Sequence, residues 1–136
     1  MVTADVRDAA LAVGRQSGFY SQKVIEDAEF KSLKAGDSDQ ELLISGEFIQ
    51  GFTSEDWKKF ASCGNVGVYG VTPMIKAEIV KRLRNLGQTV GITGCRAEDS
   101  LAFRYADVAI SSSPSCDSNI QQSVCVLLPC VITLVG

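Results

Sequence analysis

Apolar positions recur along this chain with two alternating periods, one helical and one strand-like. "ADVRDAALAVGRQSGF" sets Val6, Ala9, Ala10 and Val13 at a helical spacing, with Gly18 as a C-terminal stop. Tyr20 to Gln40 is mixed and polar, and "KAGDSD" within it reads as loop. "ELLISG" reads as a short strand. "TSEDWKKFAS" starts with Thr53 or Ser54 as N-cap and has acidic residues in its first turn, so it predicts a helix with Trp57 and Phe60 packed inward. "NVGVYG", Asn65 to Gly70, is the next strand.

The strongest helix signals lie in "TPMIKAEIVKRLRNLG". Thr72 can cap, Pro73 suits the first helical position, and Gly87 can end the helix. Ile75, Ile79, Val80, Leu83 and Leu86 form one apolar stripe, and Lys81, Arg82 and Arg84 lie off it on a solvated face. "QTVGITG" is a strand, "EDSLAFRYA" a short helix and "DVAISS" a strand. Ser111 to Ser115 reads as loop, "DSNIQQS" as a helical turn and "VCVLL" as a last strand. Alternating strands and helices predict a Rossmann-like α/β fold, a mostly parallel sheet with flanking helices. Sites in such sheets form at the carboxyl ends of strands, here Gly70 to Lys76 and Thr93 to Asp99.

Composition narrows the chemistry. The 136 residues suit a single domain, 1–136. A net charge of −3 and a pI near 4.9 argue against a nucleic-acid binder. The absence of histidine removes His-based triads, His metal sites and His pH switches. Cys63, Cys95, Cys116, Cys125 and Cys130 form no C-x-x-C pair and read as buried small hydrophobes in a reducing, cytoplasmic setting, with a disulfide or redox role as the alternative. The longest apolar run, Val124 to Gly136, is too short to span a bilayer and is broken by Pro129, so no membrane insertion is expected.

Five blocks in chain order carry a family resemblance: "MVTADVRDAALAVGRQSGF", "LISGEFIQGFTSEDWKKF", "VGVYGVTPMIKAEIVKRLRNLGQTVGITG", "DSLAFRYADVAIS" and "DSNIQQSVCVLLPCVITLVG". Together they resemble the phosphorylation domain of P-type cation-transporting ATPases, a haloacid-dehalogenase-like fold, and within it the sodium- and calcium-pump branches. Only Tyr20 to Gln40 lacks a counterpart. The resemblance implies that Thr3 and Asp5 stand for the Thr and Asp of the family's "TGD". It implies that Lys76 is the lysine that contacts the phosphoryl group. It also implies that Thr93, Gly94 and Asp99 are the retained parts of "TGDGVND".

The departures bear on chemistry. Within this sequence there is no "DKTGT", whose Asp the family phosphorylates. Cys95 stands where the family has an Asp that holds Mg²⁺, and a thiol is a poor ligand for a hard cation. Arg96 replaces a Gly and Glu98 an Asn. Nucleophile and metal act as a unit, so catalytic residues are not expected. Each candidate also has a plainer reading. Lys76 is then a solvated lysine, Asp99 a favourable charge at a helix N-terminus, Asp5 the N-cap of the first helix, and Cys95 a tolerated small residue rather than a thiolate activated beside Arg96.

The missing "DKTGT" strand is central in the family's sheet. Its loss predicts either direct pairing of "VGVYG" with "TVGITG" or a strand borrowed from a partner or a second copy through an open edge. The leading expectation is a catalytically inactive, stand-alone relative of the phosphorylation domain that binds a protein partner or itself. The alternatives are a piece of a cation-transporting ATPase, and a phosphate or nucleotide binder using the residual cradle. No cofactor is expected beyond weak residual Mg²⁺ or nucleotide binding.

Overall fold

A computed structural model describes residues 1–21, 23–34, 39–94, 97–111 and 125–127. The protein is α/β with small parallel sheets and flanking helices, compatible with a Rossmann-like fold. It divides into two compact units, Met1–Thr72 and Pro73–Gly136.

In the first unit, β1 (Val24–Ile25), β2 (Glu41–Ser45) and β3 (Val66–Tyr69) form a parallel sheet in that order. Among the described residues it is accompanied by the helices α1 (Arg7–Gln16), α2 (Asp27–Phe30), α3 (Gly46–Gln50) and α4 (Ser54–Ser62). Leu42, Leu43 and Ile44 of the middle strand are all buried, as expected where both faces of a parallel sheet are covered. The outer side of β3 is taken by Met1–Thr3: the Val68 N–H donates to Met1 O (2.8 Å) and the Thr3 N–H to Val68 O (2.9 Å). Both sides of β3 are therefore hydrogen-bonded within this unit, to β2 on one side and to Met1–Thr3 on the other. Three residues of strand thus satisfy backbone groups of β3 that an open edge would leave unpaired.

Helix α1 forms as its period predicts and ends at Gly18, which adopts φ +74°. Its buried face is Ala10 and Gly14, while Val6 and Val13 are 72% and 52% exposed. The cause is Tyr20. Its ring packs against Gly14, where an added Cβ would lie 2.5 Å from Cε2. Its hydroxyl reaches Gly67 and donates to Leu42 O (2.8 Å). Burial, then the Glu41 charge, push the Tyr20 phenol up from its ordinary range.

The polar segment 20–40 contains β1 and α2. Buried Glu41 fastens its start by accepting hydrogen bonds from the Ser21 N–H (3.0 Å) and hydroxyl (2.9 Å). Phe30, Phe48, Phe52, Trp57 and Phe60 join in one aromatic group, Phe30 stacked on Phe52 at 4.9 Å and the other contacts edge-on. Trp57 and Phe60 face inward as predicted, on a helix whose start is held by a Thr53–Asp56 capping box.

The second unit contains α5 (Pro73–Asn85), β4 (Gly91–Thr93), a 3-10 turn (Ala97–Asp99), α6 (Ser100–Phe103), β5 (Val108–Ser111) and β6 (Cys125–Leu127). The strands form a parallel sheet, β4–β5–β6, with Thr93 opposite Ile110. Helix α5 begins at Pro73 as expected and closes in a Schellman motif. Gly87 (φ +81°) donates to Arg84 O and Gln88 to Leu83 O. Ile79 and Val80 of the predicted stripe are buried together with Ala77, and Leu86 is 37% exposed. Ala77 and Val80 pack with Ala102, Val90 and Ile92. The basic face is exposed but engaged: Arg82 pairs with Glu78, Arg84 with Asp107, and Lys81 lies over the Tyr105 ring.

Cys63 is a half-buried thiol near Lys59 O (3.2 Å). Cys95, Cys116, Cys130, most of the Ser111 to Ser115 loop and the "DSNIQQS" turn lie outside the described residues. Among the described residues, no helix is long and apolar enough to cross a membrane.

Candidate functional site

The six retained candidates fall into two groups. Thr3 and Asp5 belong to the first unit. Thr3 ends the short strand beside β3, and its hydroxyl donates to Asp5 Oδ2 (2.6 Å) while accepting from the Asp5 N–H (3.1 Å). The chain beyond β3 closes over this turn, with the Gly70 N–H donating to Asp5 O (2.9 Å) and the Val71 N–H to Thr3 O (3.1 Å). Asp5 does not cap α1. Val6 occupies that position, extended at φ −72° and ψ 160°, and no side chain caps the helix. The Asp5 carboxylate is drawn to the Thr3 hydroxyl instead.

Lys76, Thr93, Gly94 and Asp99 belong to the second unit, around the carboxyl end of β4. Lys76 sits in the first turn of α5 and forms an ion pair with Asp99 Oδ1. The lysine side chain is 25% exposed and the aspartate side chain 9%. Gly94 is held to β5 by its N–H, which donates to Ile110 O (3.1 Å). On its other side it faces the carboxylate, where an added Cβ would lie 2.5 Å from Asp99 Oδ2 and 2.9 Å from Cγ. Thr93 is exposed. Asp99 occupies the residue before α6, yet its side chain makes no capping hydrogen bond to that helix. Its charge is directed at Lys76.

This arrangement places one cation and one anion at the end of a parallel strand, a location suited to binding a charged group. Among the described residues the donor set does not fit Mg²⁺. Among the described residues, no group of three or more Asp, Glu or Cys converges as a metal site. One oxygen of Asp99 is engaged by Lys76 and the other is packed against Gly94. Magnesium demands near-octahedral oxygen ligation and keeps several of its waters, whereas this carboxylate is already committed to Lys76.

A further polar group, not singled out from the sequence, lies at the carboxyl ends of β1–β3. Asp27 accepts from the Ser45 N–H (2.9 Å) and hydroxyl (2.8 Å), and Ser45 Oγ accepts from the Phe48 N–H to cap α3. Burial, then the Asp27 charge, raise the neighbouring Tyr69 phenol. The signal was the Ser-Gly that ends "ELLISG", a strand running directly into an N-cap.

No protein-family model matches the chain. Over 112 residues, 82% of its length, the chain is 34% identical to calcium-transporting ATPase type 2C member 2 of Mus musculus. It is 33% identical to that protein of Rattus norvegicus and 29% to that of Homo sapiens, also over 112 residues. The match occupies 10% of each of those proteins, so the chain spans about a tenth of the length of the curated relatives it matches. The chain is related in sequence to a segment of a calcium-transporting ATPase.

Proposed function

We propose that the chain is a phosphorylation-domain segment of an ATP-driven cation transporter of the P-type kind, altered so that these residues no longer hold magnesium. The observation that carries this reading is the Lys76–Asp99 pair. The two residues are 23 apart in sequence, the resemblance assigns both to one phosphate-handling site, and they meet at the end of β4. The match to calcium-transporting ATPases across 82% of the chain supports the same reading. Sequencing the transcript tests it. A reading frame that continues upstream into a "DKTGT" segment and apolar helices is the expected result. A frame closed around these 136 residues overturns it.

A second reading is favoured by Cys95 and Arg96, which replace the Asp and Gly of the resembled motif. In it the chain is an inactive relative that binds a protein partner or itself. Both readings predict no phosphate release from ATP with Mg²⁺ by this chain. Turnover that disappears in Asp99→Asn would refute the loss of chemistry.

A further inference from the structure

We infer that Lys76 stands in for a metal ion: its ammonium is the built-in counter-charge of Asp99, and with Gly94 the pair forms a metal-independent latch at the end of β4. The inference rests on the proposed reading, in which this strand end derives from a magnesium-handling site. A carboxylate side chain only 9% exposed has lost most of its water, and an ionised group in that state needs a compensating charge. In a metal site the ion supplies that charge. Here the ammonium supplies it from the first turn of α5, as a compact point charge with three N–H donors.

The second carboxylate oxygen is also engaged, by close packing against the backbone. It lies so near Gly94 that a single added carbon would sit 2.5 Å from it. Gly94 therefore fills that side of the oxygen, which leaves no room there for a hydrated, six-coordinate cation. In sequence, Cys95 carries a thiol where the resembled motif has an oxygen ligand. What remains ties α5 to the turn Ala97–Asp99 and needs no ion to do so.

The test compares thermal unfolding of the whole chain in EDTA and in MgCl2 at roughly 10 mM, a concentration at which any useful native-state binding raises Tm. In parallel, sub-stoichiometric Mn²⁺ is added while the amide signals of Gly94 and Asp99 are followed by NMR. The latch predicts no Tm shift and no selective broadening. It also predicts that Lys76→Met and Asp99→Asn each lower Tm by several degrees. The double variant Lys76→Met/Asp99→Leu, which removes both charges, unfolds at a higher temperature than either single variant. A magnesium-dependent Tm rise that vanishes in Asp99→Asn overturns the inference. So does selective Mn²⁺ broadening at Gly94 and Asp99, or single variants indistinguishable from the unaltered chain. If a single variant fails to fold, folding of the double variant supports the latch and its failure overturns it; the Mn²⁺ titration needs no variant. A closed reading frame would defeat the functional reading and leave the metal titrations unchanged, so the two failures are distinguishable.

Discussion

Gly67→Ala is expected to destabilise the first unit through one atom, the Tyr20 hydroxyl oxygen. Gly67 lies in β3 and does not adopt a positive φ, so alanine is acceptable to the backbone. The added Cβ, however, falls on Tyr20 Oη, with the next neighbours, Tyr20 Cζ and Leu43 Cδ1, at 3.2 Å. The overlap is with an oxygen fixed by its own hydrogen bond to Leu42 O, so it cannot swing aside cheaply. Overpacking of this kind costs about 1–3 kcal/mol. Tyr20→Phe alone loses one buried hydrogen bond, about 1 kcal/mol. In the Tyr20→Phe background the nearest atoms to the new methyl are at 3.2 Å, a tight but yielding contact. The double variant is therefore expected to be little less stable than Tyr20→Phe itself, a favourable coupling of about 1–2 kcal/mol.

Gly14→Ala supplies the control. Its Cβ would meet ring carbons of Tyr20, Cε2 at 2.5 Å, and phenylalanine keeps those carbons. Tyr20→Phe should then rescue Gly67→Ala and leave Gly14→Ala as damaging as before. Urea unfolding followed by the fluorescence of Trp57, the only tryptophan and a buried one, reads the unit directly. Equal rescue of the two glycine variants, or a Gly67→Ala chain as stable as the original, would refute the proposed packing.

Three further outcomes follow from the same structure. Thr53→Ala removes the α4 cap and should cost about 1 kcal/mol in urea unfolding. Asp56 is held below the usual carboxylate range, first by the Thr53 N–H and then by the Thr53 hydroxyl, so its contribution is present above the unfolded value of about 3.9 and fades as pH falls through the lower folded value. The gap between Thr53→Ala and the unaltered chain should hold at neutral pH and narrow only in acid. Glu41→Ala strips buried partners from the Ser21 N–H and hydroxyl and should lower stability by about 2 kcal/mol, measured the same way. Val6→Lys and Val13→Lys should each change stability by less than about 0.5 kcal/mol, whereas Ala10→Leu on the buried face should cost about 1–3 kcal/mol. A costly Val13→Lys would mean that the helix buries the other face.

What the sequence revealed follows the physics of each element. Period and punctuation placed the segments with local signals: Pro73 and Gly87 bound α5 almost to the residue, and Trp57 and Phe60 face inward. The orientation of α1 was not legible from its valines, because a tyrosine outside the helix packs its ring against Gly14 and so turns Ala10 and Gly14 inward. Nor was the two-residue strand Val24–Ile25, whose existence depends on pairing with Glu41 and Leu42 rather than on any period of its own. At the strand end, the resemblance brought Lys76 and Asp99 to one site, but spacing alone did not show that they neutralise each other.

That neutralisation explains why a site can outlive its chemistry. If residue 95 loses its carboxylate and the metal departs, a desolvated Asp99 would be left as an uncompensated charge, a situation that costs several kcal/mol. A lysine already paired with it removes the penalty, and from then on either residue is expensive to change alone. Removing one partner of a buried pair typically costs about 3–5 kcal/mol, while replacing both with apolar groups is often neutral. Single substitutions are the steps open to a drifting sequence, so under the proposed reading the pair is expected to resist change. Gly94 is expected to resist change with it, since any side chain there meets the carboxylate. Lys76, Gly94 and Asp99 can therefore look like a working motif for structural reasons alone. The informative positions are those outside this lock, and there the chain carries Cys95 and Arg96.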